Sequence, residues 1–104
     1  MSGLETSVRL QAIARGWSAE PQVYLPGIGT VDLVIEGCVV VETDGREWHV
    51  GETAEARDYA RDAALAGIGY TVLRFSYAQV MFQPDVVVRA IESALRMHRR
   101  SPVR

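Results

Sequence analysis

Val31-Asp32-Leu33-Val34-Ile35 and, ten residues on, Val39-Val40-Val41-Glu42-Thr43-Asp44 decide the reading of this chain. Both runs are apolar and rich in β-branched residues, the composition of buried strands. Glu36-Gly37 lies between them as a turn, so the two runs pair as a hairpin. A carboxylate interrupts the first run and two more end the second. Side chains alternate along an extended chain, so residues 42 and 44 share a face, and the hairpin brings Asp32 beside them. Charges so placed cost stability unless they are used.

Two uses fit that placement. Clustered carboxylates repel one another, and a hard divalent cation such as Mg²⁺ is the partner that would relieve them. A metal held there lowers the pKa of an attacking water and stabilises charge on phosphoryl oxygens, which leads to phosphodiester hydrolysis. In the plainer reading Asp32 caps a turn, Glu42 sits at a sheet edge and Asp44-Gly45 is an ordinary turn dipeptide. Spacing does not separate the two.

Working outward, Gln22 to Leu25 reads as a short strand, and Pro26-Gly27-Ile28-Gly29 turns it into the strand from Thr30 to Ile35. With Val39 to Glu42 this makes a three-stranded antiparallel meander. Before it, Leu4, Val8 and Ala12, with Leu10, Ile13 and Trp17, form a broad helical stripe ended by Gly16. After it, Thr53 caps a helix to about Ala66, stopped by Gly67, whose alanines 56, 60, 63 and 64 allow close packing on a sheet. Tyr70 to Phe75 follows as a buried strand, and the strand-helix-strand passage implies parallel pairing. Pro84 opens a last helix with Val87, Val88, Ile91 and Leu95 on its buried side.

The chain's 104 residues, 48% of them hydrophobic, suit a single domain over 1–104 with one core. No stretch reads as a signal peptide or a membrane span, so the expectation is a soluble, cytoplasmic protein with no membrane partner. Cys38, the single cysteine, lies in an apolar run and reads as a buried thiol; with two histidines it leaves no ligand set for a structural zinc. A net charge of −2 and a pI near 5.6 count against tight free-standing nucleic-acid binding. The positive charge is carried by arginine. Arg96, Arg99, Arg100 and Arg104 gather at the C-terminal end, either as a phosphate-facing patch or as a solvated helix end that, with His98, suits the helix dipole.

Val31-Asp32-Leu33, then Val41-Glu42-Thr43-Asp44-Gly45-Arg46-Glu47-Trp48-His49, then Arg57-Asp58 and Arg61-Asp62, then Tyr70-Thr71-Val72-Leu73-Arg74-Phe75 resemble the DUF559 family over nearly the whole chain. That family is related to the very-short-patch mismatch-repair endonucleases of the PD-(D/E)XK superfamily, whose own Thr-His-Gly through Trp-His stretch is similar to residues 43–49 here. The resemblance implies an α/β, restriction-endonuclease-like fold of order α-β-β-β-α-β-α, its central mixed sheet flanked by helices. It implies a DNA endonuclease, with DNA repair as its setting, using Mg²⁺ or Mn²⁺. Asp32 would be the first metal ligand and Glu42 the acid of the second half-motif. Asp44 would stand where the superfamily's lysine usually orients the water, and an aspartate there can only bind metal or accept a proton. His49 is the candidate to replace that lysine as general base or acid.

Glu5 matches an acid with which related nucleases complete the metal site; alternatively it pairs with Arg9 on the helix surface. Asp58 and Arg61 either support the site or form an i,i+3 pair. Arg74 reads as one half of a structural ion pair, and Trp17 and Trp48 as buried rings with base stacking as the alternative. A nuclease-fold module that no longer cuts, acting in DNA or protein binding within a larger system such as a toxin–antitoxin pair or a mobile element, is the competing function. A plain structural domain whose acids are solvated turns is the third. A homodimer or a separate DNA-reading domain would supply the basic surface this chain lacks.

Overall fold

The turns expected from the sequence are where the chain reverses. The computed structural model describes residues 3–44 and 52–100, with the side chains of 3–43 and 59–99. At the first turn Gly27 has φ 82°, and the Ile28 amide donates to the Leu25 carbonyl at 3.0 Å. This is the type II arrangement, with proline second and an unstrained glycine third. At the second, Glu36 and Gly37 both take positive φ, 52° and 70°, and the Cys38 amide donates to the Ile35 carbonyl at 3.1 Å. A positive-φ pair matches the right-handed twist of the strands it joins. These turns connect β1 (Ala19–Leu25), β2 (Gly29–Ile35) and β3 (Val39–Asp44) as the expected antiparallel meander. β4 (Thr71–Ser76) adds parallel to β3, so the mixed sheet runs β1-β2-β3-β4.

The helices are α1 (Gly3–Ala14), α2 (Glu52–Gly67), α3 (Tyr77–Phe82) and α4 (Pro84–Arg100). The expected order is present with one addition, the short α3. Ser76 caps it: the Gln79 amide donates to Ser76 Oγ at 3.1 Å and the Ser76 amide donates to Gln79 Oε1 at 3.0 Å. That reciprocal pair satisfies two donors a helix start leaves open. The end of α2 also differs from expectation. Gly67 is still helical, and the left-handed residue is Gly69 at φ 104°, beyond which the Tyr70 amide reaches back to the Leu65 carbonyl at 3.1 Å. Thr53 lies within the first turn of α2 rather than ahead of it.

Two apolar layers hold the sheet. On one face Leu33, Ile35, Val39, Val41 and Phe75 pack with Leu4, Val8 and Ala12 of α1, Val80 of α3, and Val87, Ile91 and Leu95 of α4. On the other face Val31, Val34 and Val40 meet Leu65 of α2. Three expectations fail in detail. Leu10 and Ile13, two of the six residues of the expected apolar stripe, are 56% and 49% exposed, because the Leu4-Val8-Ala12 line is the one that meets the sheet. Ala60, Ala63 and Ala64 face solvent, so these three alanines do not seat α2 on the sheet; the side chain of Ala56 lies outside the described residues. Val88 is only half-buried.

Trp17 is half-buried against the first core layer, with the Arg15 guanidinium 5.3 Å from its ring centre; Trp48 lies outside the described residues. The same Arg15 pairs with Glu92 at 2.8 Å, and Glu92 lies 3.8 Å from Arg96, so part of the basic C-terminal end is held by ion pairs. Among the described residues no helix is long and apolar enough to cross a membrane.

Cys38 is half-buried at the β2–β3 turn rather than fully buried. Desolvation and, after it, the charge of Glu36 push its thiol pKa up, with Arg99 opposing weakly. A raised pKa leaves less thiolate at neutral pH. Folded protein is therefore expected to react with iodoacetamide at pH 7 more slowly than the urea-unfolded chain, and equal rates would contradict it.

A candidate active site where two strands part

The β2–β3 ladder carries Leu33 opposite Val41 as its last register pair toward this end of the hairpin. One step further stand Asp32 and Glu42, and there carboxylates take the place of ladder bonds. Glu42 Oε2 accepts the Asp32 amide at 2.7 Å. Asp32 Oδ2 accepts the Thr43 amide at 2.9 Å and the Thr43 hydroxyl at 3.2 Å. Each acid thus satisfies a backbone donor that parting strands would leave bare. Hairpin pairing brings the two acids together as expected. The plainer reading of Glu42 as a sheet-edge residue does not hold, since β3 lies between β2 and β4 and Glu42 is 5% exposed.

The strand pair is irregular at this level. Leu33 and Ile35 lie in the α1–α4 layer, yet Val31 lies in the α2 layer, although residues 31 and 33 of a regular strand share a face. The neighbouring strand shows the same switch between Ala19 and Val23. Both changes bracket Gln22, a non-glycine residue at φ 52°, which falls between the register pairs Pro21–Leu33 and Val23–Val31 and so across from Asp32. A left-handed φ costs such a residue about 1 kcal/mol or more. The Gln22 side-chain Nε2 donates to Glu5 Oε1 at 2.6 Å, which ties this kink to α1. Glu5 itself is 1% exposed, so it does not occupy the helix surface where an Arg9 pair was expected.

On β3, Glu42 points to the same side as Val40, toward α2. There Arg61 of α2 holds it: Nη1 donates to Glu42 Oε1, and Nη2 donates to the Thr30 carbonyl. The adjacent residue, Asp62, accepts from Arg74 Nη2 at 2.9 Å. Arg74 is the register partner of Glu42 on the parallel strand β4. Consecutive arginine and aspartate on the helix thus oppose neighbouring glutamate and arginine on the sheet, a reciprocal arrangement of four charges. The structural ion pair expected of Arg74 is present, and Arg61, read only as a supporting residue or a partner of Asp58, is joined directly to the site.

The donor set is hard oxygen, suited in kind to Mg²⁺ or Mn²⁺. Among the described residues no three of His, Cys, Asp and Glu gather around one point, and the positive charge facing Glu42 is the Arg61 guanidinium. Asp44 continues β3 two residues beyond Glu42, with its side chain outside the described residues, as are the side chain of Asp58 and the whole of His49.

The family model REase_MTES_1575, which is restriction-endonuclease-like and of DUF559 type, matches residues 4–95. Over 53 residues, 51% of this chain, the sequence is 38% identical to a protein of Haemophilus influenzae described as an uncharacterized protein. That stretch covers 43% of the relative, so the match spans less than half of its length.

Proposed function

We propose, because the chain belongs to the restriction-endonuclease-like family of DUF559 type, that residues 1–104 form a divalent-metal-dependent DNA endonuclease domain cutting phosphodiester bonds where β2 and β3 part. The observation that carries this reading is the meeting of Asp32 and Glu42 at the end of the shared ladder of two interior strands, with Glu42 buried where an acid is costly. In it Asp32 and Glu42 hold Mg²⁺ or Mn²⁺, with Asp44 as the third carboxylate. Bound there, the ion supplies an ionised water and positive charge at the phosphoryl oxygens. Asp32 and Glu42 would hold the ion while each keeps an oxygen on a backbone amide, that of Thr43 for Asp32 and that of Asp32 for Glu42. His49 accepts or delivers the proton, a task the missing lysine would share in other members of the superfamily. Glu5 acts at one remove, through Gln22 and the kink across from Asp32. DNA is the substrate, and a second copy or a separate domain supplies the basic surface that a net charge of −2 lacks.

One observation favours a module that binds without cutting: Glu42 is already neutralised by Arg61. Calorimetric titration of Mg²⁺ and Mn²⁺, run beside a plasmid-nicking assay with and without EDTA, separates the two. Metal binding with EDTA-sensitive nicking is expected. Binding without nicking would favour the non-cutting module, and no binding would overturn metal dependence.

A further inference from the structure

We infer that Arg61 is the built-in counter-ion of the carboxylate site, occupying Glu42 until a divalent cation displaces it, so that this arginine sets the metal affinity of the domain. The inference rests on the metal-dependent reading above and adds a residue to it. Both oxygens of Glu42 are engaged: Oε2 by the Asp32 amide and Oε1 by Arg61 Nη1. The first bond is compatible with a ligating carboxylate, because a backbone amide and a cation use different lone pairs. The second opposes ligation, because a guanidinium and a metal ion are like charges competing for one carboxylate.

The exchange is local, as two further contacts indicate. Nη2 of Arg61 is anchored on the Thr30 carbonyl, which does not depend on Glu42, so the side chain keeps a partner when Nη1 lets go. Asp62 holds Arg74 and Leu65 fills the layer beneath, so α2 stays seated on the sheet through the exchange. Without a cation, Arg61 removes the penalty of a buried, uncompensated glutamate. With one, the apparent affinity is the intrinsic affinity multiplied by the fraction of molecules in which Glu42 is free.

Mn²⁺ titration of wild type, Arg61→Gln, Asp32→Asn and the double variant Arg61→Gln/Glu42→Gln tests this. Arg61→Gln is expected to bind about tenfold more tightly than wild type, the scale of one charge-assisted bond removed from the competition. The double variant should lose that gain. Equal or weaker binding by Arg61→Gln, with wild-type binding abolished by Asp32→Asn, would overturn the role of Arg61 and leave the metal site standing. No Asp32-dependent binding in wild type or Arg61→Gln would overturn both. A second readout needs no variant at the arginine. The Arg61 side-chain ¹⁵N resonance of the wild-type protein should shift on saturation with diamagnetic Mg²⁺, and an unmoved signal under saturation would also overturn the inference.

Discussion

Asp32→Ala and Glu42→Ala are each expected to lower plasmid nicking in Mg²⁺ by about a thousandfold or more, on the order of 4 kcal/mol of barrier, yet to differ sharply in stability. Loss of Asp32, a half-buried side chain, leaves the Thr43 amide and hydroxyl without their acceptor, a cost of about 1–2 kcal/mol. Loss of Glu42 leaves the Asp32 amide bare and takes the carboxylate from Arg61 in a buried setting. Breaking such a pair from one side costs about 3 kcal/mol, the lower end of the range for buried ion pairs, because the arginine keeps some access to water. Urea denaturation gives both values from the shift in midpoint at constant slope. Glu42→Gln should recover part of the loss, since its amide oxygen can still accept from Asp32. Substantial nicking by either alanine variant would sink the proposed site. Equal stabilities would mean that Arg61 finds other partners at no cost.

The parts of this fold that were legible in the sequence are those with local causes. Pro26-Gly27 and Gly37 mark reversals because proline presets the second position of a turn and glycine takes positive φ without strain. The β-branched runs between them leave only antiparallel pairing, and that register brings residues 32 and 42 side by side. Pairing of β4 with β3 follows from the intervening helix. Ser76-x-x-Gln79 was also a local signal for α3, but a six-residue helix directly after a strand has no apolar period long enough to stand out.

What was hidden depends on which of several faces another element covers. Leu10 and Ile13 look as apolar as Leu4 and Val8, and only the position of α1 over the sheet selects between them. Glu5 carries no sign in the sequence that Gln22 would meet it indoors, because that contact needs a left-handed Gln22 that no propensity would propose. Arg61-Asp62 gains meaning only when Glu42 and Arg74 are known to be neighbours on parallel strands. The combination of opposite charges on the helix and opposite charges on two strand positions was in the sequence, but without register it matches many pairings. The side chains of Asp44 and Asp58, and all of His49, lie outside the described residues.

Leu65→Ala is expected to cost about 3 kcal/mol and to loosen the helix that carries Arg61. Leu65 is fully buried, and among the described side chains of α2 it alone is; it sits over Val31, Val34 and Val40, with Val23, Leu25, Ile28, Tyr70 and Val72 packed around the same layer. Removing it takes away transfer energy and leaves a cavity that short valines cannot fill. Ile91→Ala, on α4 across the sheet, removes a side chain of the same size from a layer that α1, α3 and α4 close together. The two variants should therefore lose similar global stability in urea and differ in where they open. Amide hydrogen exchange should accelerate along α2 well beyond the global change in Leu65→Ala, and not in Ile91→Ala. Because Arg61 stands one helical turn before Leu65, its grip on Glu42 depends on that seating, and Mn²⁺ should bind Leu65→Ala more tightly than Ile91→Ala. If α2 exchanges no faster in Leu65→Ala than in Ile91→Ala, the four-charge arrangement rather than the apolar layer holds the helix, and α2 is anchored at the site itself.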